Sequence, residues 1–377
     1  MNLDEESIAL GESRTEGENT WYDEVSARPS TLPDFTFSFT DFAREEDARQ
    51  LAAIIEGLLS FFGKLMNLSA LSRVWVTYDY AGTLASLERG LDAGKKLTPT
   101  NDAIGVGIAM TPAILVDGKP KSVIVLNALH MMALTQPENE ELRPYYRQMV
   151  YTLAHECGHV HDLGMKVASL PDTWLKRRLN PYDGLLFEIA DACWSEYIAS
   201  RLSALVSPTE LTSQYESTLC EQLETGIPAI CGYLRQYRMH ADVPQVLSEC
   251  TYVVSKILTY ASYLFGQLHG LGQAFDNAAP KTREALNDHP DVLSLVSQLE
   301  PELQALHAGY GNWQGFEVFE PLKKIAFDLF AVVGLILEER GDDGMAVRIP
   351  LTPDTTPNLA EQLEFLACRS AEAGSCK

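Results

Sequence analysis

His155, Glu156 and His159 are the residues best spaced to do chemistry together, in the run Tyr151-Thr-Leu-Ala-His155-Glu156-Cys-Gly-His159-Val-His161-Asp162. The surrounding pattern reads as helix, so histidines at i and i+4 stand one turn apart on one face, where two neutral imidazole nitrogens can converge on a cation. Zn2+ takes such ligands readily. Glu156 projects beside them, placed to accept a proton from a zinc-coordinated water whose pKa is lowered to roughly 7. Met149, Val150, Leu153, Cys157 and Val160 supply an apolar stripe on the opposite side. The helix is therefore expected to bury one face and to aim its polar pair at a cleft. Gly164 is the expected end of this helix.

A catalytic zinc site takes three protein ligands and leaves its fourth position to water. His161 stands about 200° round the helix from His159 and faces away. Asp162 shares the ligand stripe but lies one turn too far along the axis, which suits an outer or structural role. The next strong helical segment, Leu185 to Leu202, carries Glu188, Asp191 and Glu196 among Trp194, Tyr197 and Ile198. Carboxylates in so apolar a segment need compensation from a metal or a bonded partner. Glu196, 37 residues beyond His159, is the expected third ligand, with Glu188 as the alternative and Asp191 as an orienting group. The two glutamates lie about 80° apart round the helix, so only one faces the metal squarely.

At these residues the chain resembles the gluzincin metallopeptidases, and within them the ImmA/IrrE-type domain. The Thr-Leu-Ala-His-Glu-x-Gly-His core of that domain is close to Thr152-Leu-Ala-His155-Glu156-Cys-Gly158-His159. The resemblance spans roughly residues 70 to 206 and implies His155 and His159 as ligands, Glu156 as base and a glutamate on the following helix as third ligand. The relatives' Glu-x-x-Ala-Asn-x-Phe-Ala kind of sequence is matched only loosely by Trp194-Ser-Glu196-Tyr197-Ile-Ala199. Many relatives act on or alongside DNA-binding repressors, but this chain shows no basic helix-turn-helix, so that role is not carried over.

The chain has 377 residues, 46% of them hydrophobic, which is room for two or three domains with a sizeable core. A formal charge of -23 argues against nucleic acid as a partner, because binding its backbone depends on lysine and arginine. Lys176-Arg177-Arg178 is the one compact basic cluster and reads as a solvated loop. Seven cysteines show no C-x-x-C spacing and read as reduced thiols. With no charged-then-apolar start in Met1-Asn-Leu-Asp-Glu-Glu, the cytoplasm is the expected location. The apolar run Ile325 to Leu337 is interrupted by Asp328 and too short to span a bilayer, so it is expected to be a core helix, with no membrane partner.

The elements that must position the metal helix follow from periodicity. Residues 1–30 are acidic and poor in apolar spacing, a loosely held tail. Phe35, Phe37 and Phe39 alternate with polar residues as in a half-buried strand, and residues 42–66 repeat apolar positions at helical spacing. Strands are expected at Val74–Tyr78, Ile104–Ile108, Ala113–Val116 and Ser122–Leu126, the last following the turn Asp117-Gly118-Lys119-Pro120. In gluzincins the edge strand of such a sheet binds an extended substrate, and Ser122 to Asn127 is the candidate edge, with an interior strand as the equal alternative. After Pro208 the pattern is helical, at 209–226, 243–271, 281–308 and 319–340. Tyr252, Tyr260, Tyr263 and His269 on one of these helices are candidates for the oxyanion-stabilising group that many gluzincins use. Arg340 to Gly344 reads as a turn, and a short helix is expected near Leu359 to Cys368.

The expected fold is therefore α+β: a zincin-like catalytic domain at 31–206, with a small sheet and metal-binding helices, followed by a helical domain at 207–377 that packs on it. The expected activity is hydrolysis of a polypeptide by a zinc metallopeptidase, with His155, His159 and Glu196 on the metal and Glu156 as base. The competing reading is a catalytically silent metal-binding sensor or partner-recognition module. Glu156 speaks against it, since a purely structural site has no need of a general base.

Overall fold

The computed structural model describes residues 24–90, 96–99, 107–170, 179–341, 344–356, 358 and 360. Alternating Phe37 and Phe39 form strand β1 (Thr36–Thr40), which runs parallel to β2 (Leu71–Thr77). β2 in turn runs parallel to β5 (Lys119–Asn127). On the far flank of β5 lie two short antiparallel strands, β3 (Ala109–Met110) and β4 (Ala113–Val116). The sheet order is β1, β2, β5, β3, with β4 also on β5, and the fold is α+β with a mixed sheet and a helical C-terminal region.

Ser122–Asn127 is consequently an interior segment and not the edge. Val123, Ile124, Val125 and Leu126 are all buried, as a continuous apolar run requires when both faces of a strand are covered. The edge on the metal side is β3, which lies just beyond the expected strand Ile104–Ile108, and residues 104–106 of that strand lie outside the described residues.

Helix α1 (Glu45–Leu65) opens with Glu45, Glu46 and Asp47, charges that suit a helix N-terminus. It buries Leu51, Ile55, Leu58, Leu59 and Phe62 against Val74 and Val76 of β2 and Ile124 and Leu126 of β5. The opposite face of the sheet is covered by the short helix α2 (Tyr80–Ser86), with Tyr80 and Leu84 against Val123 and Val125. Residues 24–30 do not behave as a free tail: Val25 is fully buried and Ser26 O accepts from Lys64 Nζ at 2.9 Å. Residues 1–23, the basic cluster at 176–178 and the helix expected near 359–368 lie outside the described residues, except for residue 360.

Helix α3 (Arg143–Ser169) carries the histidines and joins the α1 core through Met149, Leu153, Ala154, Cys157, Val160 and Leu163. It does not end at Gly164. Leu163, Gly164 and Lys166 are buried, and Lys166 pairs with Asp162 one turn back at 2.7 Å, so packing offsets the roughly 1 kcal/mol that a mid-helix glycine costs. The helix stops before Pro171, whose ring disfavours helical backbone at the preceding residue.

Helix α4 (Pro181–Ser203) begins where the Asn180 side chain accepts from Asp183 N at 2.7 Å and Pro181 takes the first turn. Its two sides meet different partners. Gly158 of α3 lies so close to Ala199 that a Cβ there would stand 2.6 Å from the Ala199 Cα, which brings the two helices together at the level of the histidines. Trp194, Tyr197 and Ile198, with no exposed surface, face the helices that follow. These are α5 (Leu211–Glu221), α6 (Ile227–His240), α7 (Val243–Gly270), α8 (Pro280–Asn287), α9 (Pro290–Ala308) and α10 (Glu320–Val332). One apolar core runs from Tyr151 through α4 to Leu337, so residue 206 marks a change of secondary structure and not a break in packing.

The stretch at 281–308 is two helices, separated before Pro290, and that at 319–340 is a helix followed by a hairpin. Gly334, at φ +94, takes the chain out of the helix and into strands β6 (Ile336–Glu339) and β7 (Met345–Arg348). The apolar run Ile325 to Leu337 is thus part helix and part strand, because hydrophobicity alone does not distinguish them. No helix among the described residues is long and apolar enough to cross a membrane.

Candidate metal centre

The helical period of α3 puts His155 and His159 on one face, and the close approach at Gly158 and Ala199 brings Glu196 of α4 over them. His155 Nε2 lies 3.1 Å and His159 Nε2 3.5 Å from Glu196 Oε2. The three candidate ligand atoms lie within 4.8 Å of one another, and among the described residues this is the group of histidine, cysteine and carboxylate side chains so arranged. The donor chemistry fits a divalent metal. His159 Nδ1 is 2.9 Å from Ser195 Oγ, and if Nδ1 carries the proton and donates it there, the Nε2 lone pair is left toward Glu196. Burial alone would push the Glu196 carboxyl up, but His159, His155 and a hydrogen bond from Tyr263 hold it down to about 2. The site is therefore anionic on one side and imidazole on the other, as a cation requires.

Glu188, the alternative ligand, is exposed on the cleft wall and stands outside this group. Asp191 does not orient a histidine: its carboxylate is 2.5 Å from Lys166 Nζ. Asp162 is structural, buried and bonded to Lys166, to Trp194 Nε1 at 2.8 Å and to the Tyr310 hydroxyl at 3.2 Å. His161 points away from the site, as its helix position demands, but it is no loose surface group: Asn67 N donates to its Nδ1 at 2.7 Å, and burial lowers its pKa to about 4.

Glu156 is buried at the floor of the cleft, with Thr111 Oγ1 donating to its Oε2 at 2.5 Å. Burial raises its pKa, His159 and the Thr111 hydrogen bond oppose that, and Glu196 adds to it. A carboxyl whose pKa is raised by burial beside candidate metal ligands is suited to a proton-transfer role. Cys157, beside it in sequence, is buried on the opposite stripe and its thiol is pushed far up by burial, so it offers no thiolate ligand.

The cleft has a volume of about 640 Å3. One wall is the β3 edge from Gly107 to Thr111, the floor is α3 and α4, and the far wall is α7 with Lys256, Thr259, Tyr260 and Tyr263. Of the four candidates for an oxyanion donor, Tyr260 and Tyr263 line this cleft. Tyr252 is 58% exposed, with Lys256 over its ring, and His269 is engaged by Tyr197, Glu300 and Gln304.

Sequence reasoning missed Thr111, Ser195 as the partner of His159, and the tyrosines of α3 and α5 that back the site. Tyr151 and Tyr215 share a hydrogen bond of 2.5 Å between hydroxyls, although 64 residues separate them. Only Ser195 carried a usable signal, since it adjoins Glu196 and shares a helix stripe with Glu188 and Ala192. Comparison with protein-family models, curated proteins and solved structures returns no match to this chain.

Proposed function

We propose that this chain is a zinc-dependent metallopeptidase of the gluzincin type, with a zincin-like arrangement of sheet and helices and an ImmA/IrrE-type histidine helix. The observation that carries the reading is Glu156: a buried carboxylate, fixed by Thr111, immediately beside two imidazoles and a second carboxylate that converge. A site that only stored or sensed a metal would gain nothing from this fourth group.

His155, His159 and Glu196 would hold the zinc. When bound there, the metal supplies Lewis acidity, lowering the pKa of a coordinated water to about 7 and polarising the scissile carbonyl. Glu156 accepts the proton of the attacking water and delivers it to the leaving amine, which keeps the proton count balanced across the reaction. The substrate is a polypeptide laid against β3, whose outer edge borders the cleft and offers backbone groups for strand addition. Tyr260 or Tyr263 donates to the developing oxyanion. Nucleic acid is not a partner at a net charge of -23, and the free thiols of Cys157, Cys193, Cys220, Cys231 and Cys250 suit a reducing compartment such as the cytoplasm.

Incubating a mixture of proteome-derived peptides with the zinc-loaded protein and with Glu156→Gln, and reading new termini by mass spectrometry, tests the reading. The expected outcome is cleavage by the parent and a loss of about 100-fold to 10,000-fold in Glu156→Gln, with zinc content unchanged. Equal cleavage by both proteins overturns Glu156 as the base, and no cleavage by the parent favours the silent metal-binding module.

A further inference from the structure

The two histidines are held in different ways. His159 has the usual outer partner, Ser195 Oγ at 2.9 Å from its Nδ1. His155 is 9% exposed, and its Nδ1 is buried with no hydrogen-bond partner among the described residues. A metal-binding imidazole is ordinarily oriented through that second nitrogen, so something else must fix this ring.

Aromatic packing surrounds it. The Tyr263 ring stacks on His155 at 5.7 Å between centroids and 18° between planes, and Tyr151, one turn earlier on α3, packs at 5.9 Å and 42°. These two tyrosines are tied together by a third. Tyr215 of α5 lies 5.2 Å from the Tyr263 ring, and its hydroxyl is 2.5 Å from that of Tyr151. Tyr215 is 1% exposed and is supplied by α5, beyond residues 31–206. Tyr263 also hydrogen-bonds the ligand Glu196, so one cluster reaches two of the three candidate ligands.

We propose that Tyr215 is a positioning residue for the metal: its hydrogen bond to Tyr151 and its packing on Tyr263 close an aromatic clamp that orients His155 in place of the missing outer hydrogen bond. The inference rests on the metal reading above and makes the C-terminal helical region part of the metal site. An imidazole that can swing pays an ordering cost each time it binds, so a clamp of this kind acts on affinity and on ligand geometry.

Tyr215→Phe and Tyr151→Phe, singly and together, keep the rings and delete the shared hydrogen bond. Zinc affinity is measured by competition with a chromophoric chelator, and the geometry by the visible absorption of the Co2+-loaded protein. Each single variant is expected to bind zinc about 10-fold more weakly and to shift the cobalt bands, and the double variant to lose no more than either single, since both remove one bond. Tyr310→Phe, which deletes a phenol bonded to Asp162 away from the site, is expected to lower the melting temperature while leaving affinity and cobalt spectrum as in the parent. Parent-like affinity and spectra in both Tyr215→Phe and Tyr151→Phe, or losses that multiply in the double variant, overturn the clamp alone. Absence of zinc binding by the parent, or binding unchanged by His155→Ala, overturns the metal reading and the clamp with it.

Discussion

Burial pushes the Glu156 carboxyl toward its neutral form, His159 and the Thr111 hydroxyl pull it back, and Glu196 pushes again. The hydroxyl bond favours the ionised form, so its loss raises the pKa further. Because the base must be ionised to act, Thr111→Val is expected to move the acidic limb of the kcat/KM profile to higher pH while leaving the plateau within a few-fold; a limb that stays in place would show that Thr111 does not tune the base. The ligand assignment is testable in the same spirit. Glu196→Ala is expected to weaken zinc binding by more than the 10-fold to 100-fold typical of an outer partner, and exposed Glu188→Ala to leave it unchanged. A larger loss in Glu188→Ala would exchange their roles. His155, Glu156 and His159 were legible in the sequence because one helical period brings them together. The choice of Glu196 needed the rotation of α4, which is set by Trp194, Tyr197 and Ile198 against helices far along the chain. Thr111, 45 residues before Glu156, had no local pattern to betray it.

At the scale of elements, two glycines on α3 look alike in sequence and do different things. A Cβ on Gly158 would sit 2.6 Å from the backbone of Ala199, so α3 and α4 would have to separate at the level of the histidines. Gly158→Ala is expected to cost about 1–3 kcal/mol and to weaken zinc binding as well, measured by chemical denaturation and chelator competition. Gly164, which sequence pattern alone marked as a helix end, has only ordinary contacts at 3.5 Å and beyond. There, Gly164→Ala is expected to gain up to about 1 kcal/mol, and a destabilisation would show that the packing at Asn67 is tighter than it looks. Periodicity found α1, α3 and α4 and most of the strands, since each buries a single face or a continuous run. It left the edge of the sheet open between two readings, because a two-residue strand such as β3 is too short to carry a pattern, and it ran α10 into β6, where only Gly334 marks the change.

Across the whole molecule, the sheet, the histidine helix and the glutamate helix make the floor and one wall of the cleft, and α7 makes the other. The apolar core that holds α4 in rotation is built mostly from residues after 206, so the C-terminal helices set the position of Glu196 as surely as α3 sets that of the histidines. The sequence led to the expectation of a helical domain packed on the first, but not to the extent of the core that α4 shares with it. The central claim is that this assembly exists to hold one zinc between His155, His159 and Glu196. X-ray absorption at the zinc edge of the purified protein tests it most directly. The account predicts about one zinc per chain with only nitrogen and oxygen neighbours at about 2.0–2.2 Å, two of them imidazoles; a sulfur shell near 2.3 Å, or a spectrum unaltered when both His155→Ala and His159→Ala are introduced, would contradict it.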